Sequence, residues 1–388
     1  MGGSGLRIAD CGLRHFSTSP PALLALAAAS GEHPRQASPP SPMSAYPLFD
    51  AHPRLAVLPR AGIFHEATPV QPLPGSDGAW IKRDDLSNAE FGGNKIRKLD
   101  LLLGEAQAQR RRCLLAFGYS GSNFVAATAW HGRRLGLDTI GLLLPQADAP
   151  YVADNLATCA AAGAELALGN SSAALVSQAL ARSLRRLAMQ GRWPYWMPPG
   201  GSTPLGALGF VNAAYELREQ IEAGLCPEPE RITVAFSSMG TVAGLAIGLA
   251  LAGLRSRVVA VQVVSEQFAS RAKLDRLIAQ TQALLRRYDP AIPARAAPVE
   301  IRTEFYGQDY AVPTAATSAA MQAFQNASGA RSDSAYSGKA LAGYYADLAL
   351  GLPGPSLYWH TFNAERLPPG VPPLPPERLG DYLLRAGR

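Results

Sequence analysis

The chain is poor in the residues that would tie it to metals, disulfides or polyanions. Its four cysteines, Cys11, Cys113, Cys159 and Cys226, stand at spacings that match neither a metal-binding pair nor a disulfide framework, so no metal is expected and a reducing, cytoplasmic setting is. Charged residues fill only 17% of the 388 positions, and the formal net charge of +6 is scattered. Arg110 to Arg112 is the only tight basic cluster, and it falls at an expected helix end, where cations suit the dipole; no nucleic-acid partner is expected. No apolar run approaches the ~20 residues of a membrane-spanning helix, and no membrane partner is expected. A phosphate loop of the Walker type, with its G-K-[ST], is also missing.

What the chain has is apolar mass: 47% of its residues are hydrophobic, enough for two domains with cores of their own. Residues 1–43 stand apart. Rich in Ser, Pro, Gly and Ala, they carry no pattern able to bury a core and read as a disordered extension. Arg7, Arg14, His15 and the following FSTS lend it some transit-peptide character, which would place the protein in an organelle, whereas Asp10 argues against that; Met43 is an alternative start.

After residue 53 apolar strands and helices alternate. A strand at AWIKRDDL is followed by a glycine loop, and a helix is expected over 100–109. Strands are expected at 113–117, 139–145, AELALG (164–169) and PYWMPP (194–199), separated by helices over 123–135, 151–162 and 171–190. A second run places helices at 204–223, 241–253, 268–288, 313–325 and 339–350 around strands at 232–236, 257–264 and 356–360. Such alternation predicts an α/β protein with open parallel sheets between helical layers, three layers in each of two domains. Residues 99–198 read as a small α/β domain inserted into a large domain of residues 44–98 and 199–388, with the active site in the cleft between them.

Ligands of open parallel sheets bind beyond the strand C-termini, so the polar loops there are the candidates. Lys95 follows Gly92, Gly93 and Asn94 at the start of a helix. By itself this string suits a turn as well as an amine desolvated for covalent chemistry. In GYSGSN (118–123), Ser122 suits a nucleophile, a proton relay or a plain N-cap, and Asn123 suits a polar ring substituent. PGGST (199–203) has glycines that let backbone approach a ligand, or simply start a helix. SSMGTVAG (237–244) places small residues and hydroxyls at the positive end of a helix dipole, which suits a phosphate. Tyr310 and Tyr336 suit acid–base work, ring stacking or packing.

In order and spacing, KRDDL (82–86), GGNKIRKL (92–99), SGSN (120–123), SSMGTVAG (237–244), YAVPT (310–314) and AYSGKALAG (335–343) together resemble one family. It is that of the pyridoxal-phosphate enzymes 1-aminocyclopropane-1-carboxylate deaminase and D-cysteine desulfhydrase, a branch of the tryptophan-synthase-β-like fold, fold type II. The resemblance runs from about Ala51 to Phe362. It implies that Lys95 holds pyridoxal 5'-phosphate as a Schiff base and moves the Cα proton. Ser238, Met239, Gly240 and Thr241 would bind the phosphate, and Asn94 and Asn123 would touch the ring hydroxyl side or the substrate carboxylate. Ser122 matches the family serine beside the cofactor, and Tyr310 and Tyr336 match the two active-site tyrosines. A small amino-acid substrate and a homodimer are likewise implied.

Two positions separate the branches. In the deaminase type an acid follows the second tyrosine and bonds the pyridine nitrogen, and a leucine follows the histidine of the last strand; here these are Ser337 and Thr361. A hydroxyl leaves the ring nitrogen largely neutral, which suffices for expelling thiolate. The expectation is α,β-elimination from D-cysteine to pyruvate, ammonia and sulfide, with deamination of D-serine or of the cyclopropane amino acid, or a cofactor-binding protein without turnover, as alternatives. The chain departs from the family pattern at Gly121 and Phe124, and at HTFN (360–363).

Overall fold

The computed structural model describes residues 44–375 and 378–380; the expectations for residues 1–43 fall outside them. A short helix α1 (Pro47–Ala51) leads to β1 (Val70–Pro72), β2 (Ala79–Arg83) and α2 (Lys95–Ala108). Four βα units follow: β3 (Cys113–Tyr119) with α3 (Asn123–Arg134), β4 (Asp138–Leu144) with α4 (Pro150–Ala161), β5 (Glu165–Leu168) with α5 (Ser172–Gln190), and β6 (Tyr195–Met197) with α6 (Pro204–Glu222). The chain continues with β7 (Arg231–Phe236), α7 (Gly240–Leu251), β8 (Arg257–Gln262), α8 (Arg271–Tyr288) and β9 (Val299–Arg302). It ends in α9 (Ala315–Ser328), α10 (Ser337–Ala349) and β10 (Ser356–His360).

The strands form two sheets. One has the order β5-β4-β3-β6, all parallel, and draws every strand from residues 113–197. The other has the order β1-β2-β10-β7-β8-β9, parallel except for the antiparallel pair β1–β2. Parallel pairing demands a crossover between neighbours, which the intervening helices supply. Two edge strands were invisible in the sequence. β1 lies in a Pro-rich stretch, TPVQPLPG (68–75), and Pro72 is tolerated because an edge strand can spare an N–H. β9, VEIR, alternates charge with apolar residues as a half-exposed edge does.

The helix α7 is apolar all round and buried along most of its length, so its neighbour must come close. Gly244 and Gly248 allow this: a Cβ at Gly244 would lie 2.3 Å from the carbonyl oxygen of Ala207, and one at Gly248 2.6 Å from that of Val211, both in α6. α6 also packs on α2, which begins at Lys95, five residues earlier than the expected helix.

That seat is fixed by a buried ionic cluster. Arg97 Nη1 lies 2.7 Å from Glu216 Oε2, and Arg97 Nη2 2.7 Å from Asp84 Oδ1; Lys82 also pairs with Glu216. Backbone N–H of Thr68 and indole Nε1 of Trp359 fill the remaining acceptors, at 2.9 Å to Glu216 Oε1 and 2.8 Å to Asp84 Oδ2. Burial opposes the charge on Glu216, yet Arg97 and Lys82 outweigh it and hold its acid down to about 2. Three charged groups of the two leading motifs, Lys82, Asp84 and Arg97, are therefore structural: they clamp the first turn of α2 to β2 and α6.

Candidate active site

The C-terminal ends of strands from both sheets border a cavity of about 600 Å³. Phe117 and Tyr119 come from β3, Leu144 from β4, Trp196 from β6, Ala235 from β7, Ser237 and Ser238 from the loop after it, and Thr361 follows β10. Lys95 reaches in from the first turn of α2.

The loop before Lys95 is pinned by the turn after β10. Asn94 N–H donates to the carbonyl of Thr361 at 3.2 Å and Gly92 N–H to Asn363 Oδ1 at 2.9 Å. Gly93 has φ +92, a left-handed conformation that side chains resist. Asn363, one of the departures in HTFN, thus anchors the loop before Lys95. Lys95 Nζ donates to Asn94 Oδ1 at 2.7 Å and lies 5.9 Å from the Tyr336 ring centre. Loss of hydration drives its pKa down from 10.5 to about 8, with Asp333 and Asp84 opposing the fall.

Three segments converge below it. Met239, at φ 68, is one of the non-glycine residues in left-handed conformation, and it turns the chain so that α7 starts with its N–H groups toward the cavity. Ser202 Oγ donates to Ser238 Oγ at 2.8 Å and accepts from Gly240 N–H at 3.2 Å. Lys98, one helical turn after Lys95, is 1% exposed; its Nζ donates to the Gly200 carbonyl and Ser202 Oγ, both at 3.3 Å. A Cβ at Gly240 would meet that Nζ at 2.9 Å. Burial, and Lys95 beside it, press the Lys98 pKa well below 10.5, and among the described residues no carboxylate pairs with it. A buried amine without a counter-anion, next to a helix N-terminus, hydroxyls and glycine backbone, is a donor set that a phosphate monoester fits, since the anion would restore the charge that burial disfavours.

The opposite wall carries the tyrosines. Tyr336 and Tyr310 share a hydrogen bond between their hydroxyls, and Tyr310 stacks on Tyr119 with ring centres 4.4 Å apart. Burial raises the hydroxyl pKa of both. Lys339 Nζ holds the loop of Tyr310 in place through the carbonyls of Tyr306 at 2.6 Å and Asp309 at 2.7 Å.

The expected residues are mostly gathered here. Asn94, Lys95, Ser122, Asn123, Ser238, Met239, Thr241, Tyr336 and Thr361 border the cavity, Gly240 opens the helix beside it, and Tyr310 stands behind Tyr336. Ser122 caps α3, accepting from Val125 N–H at 3.3 Å, and Asn123 Oδ1 accepts from Asn155 at 2.7 Å. Ser337 departs from expectation. Its side chain is fully buried behind Asp333: the hydroxyl donates to Asp333 Oδ2 at 2.9 Å and accepts from Asp333 N–H at 2.7 Å. It is Asp333 that borders the cavity, with its other oxygen accepting from Tyr336 N–H at 2.6 Å. Burial raises its acid above the usual carboxylate range. Sequence reasoning also missed Lys98 and Ser202, both hidden in motifs that read as helix starts.

The substituted loop 118–124 is built around its glycine. A Cβ at Gly121 would meet the Tyr151 ring at 2.7 Å and Gln146 Oε1 at 2.9 Å; instead Gly121 N–H donates to that oxygen at 2.8 Å, and Gln146 donates on to Tyr151 at 3.0 Å.

An amine, an anion cradle and paired hydroxyls around one cavity agree with the family whose model, pyridoxal-phosphate dependent enzyme, matches residues 63–357. The chain belongs to that family. It is similar to nocardicin C-9' epimerase of Nocardia uniformis subsp. tsuyamanensis, at 34% identity over 84% of this chain and 99% of the relative. It is similar too to D-cysteine desulfhydrase of Serratia proteamaculans (strain 568), at 33% identity over 81% of this chain and 96% of the relative. Among solved structures, an ACC deaminase homologue superposes with a TM-score of 0.68 at 30% identity, covering 80% of this chain and 93% of the other. The protein is thus a pyridoxal-phosphate-dependent lyase of the ACC deaminase and D-cysteine desulfhydrase family, with the fold expected from its sequence.

Proposed function

We propose that the protein performs α,β-elimination on a D-amino acid with a thiolate leaving group, D-cysteine being the parent compound. Bound pyridoxal phosphate supplies the electron sink conjugated to Cα. Lys95 anchors it and carries the Cα proton, a task suited to an amine whose pKa stands at about 8. Lys98, Ser202, Ser238 and the N–H groups opening α7 hold the phosphate, and Asn94 orients the Lys95 amine. The start of α3, at Ser122 and Asn123, offers N–H and side-chain donors to the substrate carboxylate. Cα–H and Cβ–S break, and one water completes the balance to pyruvate, ammonia and hydrogen sulfide.

The observation that favours elimination over cyclopropane opening is Thr361, which borders the cavity at the position where the deaminase type carries a leucine. Tyr336 and Tyr310, bonded to each other and raised in pKa by burial, are common to both branches and do not separate them. A thiolate, stable as an anion, leaves more readily than a carbon–carbon bond of the cyclopropane opens. The test is release of sulfide and ketoacid across paired D- and L-amino acids with wild type and Lys95→Ala. Turnover that survives Lys95→Ala, or Cα hydrogen exchange without ketoacid from any member of the panel, would overturn the assignment.

A further inference from the structure

We infer that the site is shaped for D-cysteine derivatives whose sulfur bears a bulky apolar group, an S-aryl or S-alkyl conjugate, in preference to free D-cysteine; this rests on the elimination proposed above. The cavity has two unlike halves. Around Lys95 lie amides, hydroxyls and Asp333, enough to engage a cofactor and an amino-acid head. The other half is apolar: Phe117 and Leu144 at the strand ends, Trp196 in β6, Leu175 and Val176 in α5, and Phe268 ahead of α8. Phe117 and Trp196 meet edge to face with ring centres 5.9 Å apart, a rigid wall. Val176 and Phe268 are 47% and 49% exposed, so the wall extends to the mouth.

Size and charge agree with one occupant. The cavity volume of about 600 Å³ falls within the ~300–1,000 Å³ of pockets that enclose drug-sized ligands. With the cofactor in the polar half, free D-cysteine would leave the aromatic wall against water, whereas an apolar group on sulfur would cover it. Among the described residues bordering the cavity, the ionisable groups are Lys95, Asp333 and tyrosines. No guanidinium or imidazole stands there to balance a second carboxylate or a phosphate on the substrate's far end.

The reaction balances without an added oxidant or reductant. Lys95 takes the Cα proton, the Cβ–S bond breaks with its electron pair on sulfur, and the thiolate takes up a proton. Water then hydrolyses the three-carbon remainder to pyruvate and ammonia.

The experiment compares S-benzyl-D-cysteine with D-cysteine on the holoenzyme, following pyruvate and thiol. A kcat/KM at least tenfold higher for the S-benzyl compound is expected. Val176→Arg, at an exposed position where folding tolerates charge, is expected to lower the ratio of the two kcat/KM values tenfold or more. Quenching of tryptophan fluorescence by S-benzyl-D-cysteine in the cofactor-free protein gives an independent readout of the wall; saturable quenching that weakens in Val176→Arg supports it. Equal or better turnover of D-cysteine overturns the inference and leaves the elimination standing. No elimination from either compound overturns the elimination, and absence of saturable quenching then overturns the apolar wall as a binding surface too.

Discussion

The most direct physical consequence of the site concerns the charge on Lys95. Burial lowers its pKa from 10.5 to about 8. At pH 7 about one amine in ten is then free, against about one in three thousand for a solvated lysine, a gain of ~300-fold in reactive base at ~tenfold per pKa unit. Covalent capture of pyridoxal phosphate by cofactor-free protein requires that free base. Its rate, followed by the visible absorbance of the captured cofactor, is expected to rise about tenfold per pH unit below 8 and to level off above it, after correction for ionisation of the phosphate near pH ~6. Two carboxylates, Asp333 and Asp84, hold the amine's pKa up against burial. Removing one of them favours the neutral form, so Asp333→Asn is expected to move the midpoint to lower pH, while the amide oxygen still accepts from Tyr336 N–H. Lys95→Arg should abolish capture at every pH. A wild-type midpoint near 10, or an Asp333→Asn midpoint shifted upward, would refute the account of burial as the activating force.

Lys98→Met removes the buried amine proposed to hold the phosphate and is expected to narrow the preference for pyridoxal phosphate over pyridoxal about tenfold or more by equilibrium binding, as loss of a charge-assisted contact predicts. Glu216→Gln breaks the buried cluster; a shift from 4.5 to about 2 corresponds to about 3 kcal/mol at ~1.36 kcal/mol per unit, which urea unfolding at pH 7 should report. Because the folded pKa is depressed, that contribution is present above pH 4.5 and lost as pH falls through about 2, so the variant's deficit should shrink in acid. Gly121→Gln places a side chain on Tyr151 and Gln146 and is expected to cost about 1–3 kcal/mol, read as a lowered Tm.

Much of this architecture was legible because it is local. Strand and helix alternation follows from hydrophobic period, and the loops at Lys95, Ser122 and Ser238 announce themselves by glycine and hydroxyl residues at helix starts. The two edge strands were not legible, since β1 hides behind prolines and β9 behind charges, both of which edges tolerate. Lys98 was overlooked for another reason. Its partners, Gly200 and Ser202, lie about a hundred residues away, and nothing in the string RKL distinguishes an ammonium aimed at them from one in solvent.

Ser337 and Asp333 carry the most consequential difference. A residue next to Tyr336 in the sequence is expected to face what that tyrosine faces, but Ser337 is the first residue of α10, and successive helical residues diverge by about 100°. Its hydroxyl turns back to the preceding loop and binds Asp333, whose carboxyl takes the place at the cavity wall. The tuning of the site is thereby moved four residues upstream, from a hydroxyl to a buried acid. The serine sets that acid's orientation, and the acid in turn biases the charge of Lys95. Under the elimination and the apolar-wall preference proposed above, substrate preference in this chain would be governed by two separable features: the Asp333–Lys95 couple, setting how readily the Cα proton is taken, and the aromatic wall, selecting what leaves from Cβ. Ser337→Ala tests their separation. It should alter the pH midpoint of cofactor capture by freeing Asp333, while the ratio of S-benzyl-D-cysteine to D-cysteine kcat/KM stays the same; a change in that ratio with no change in the midpoint would show that the serine acts on the substrate directly.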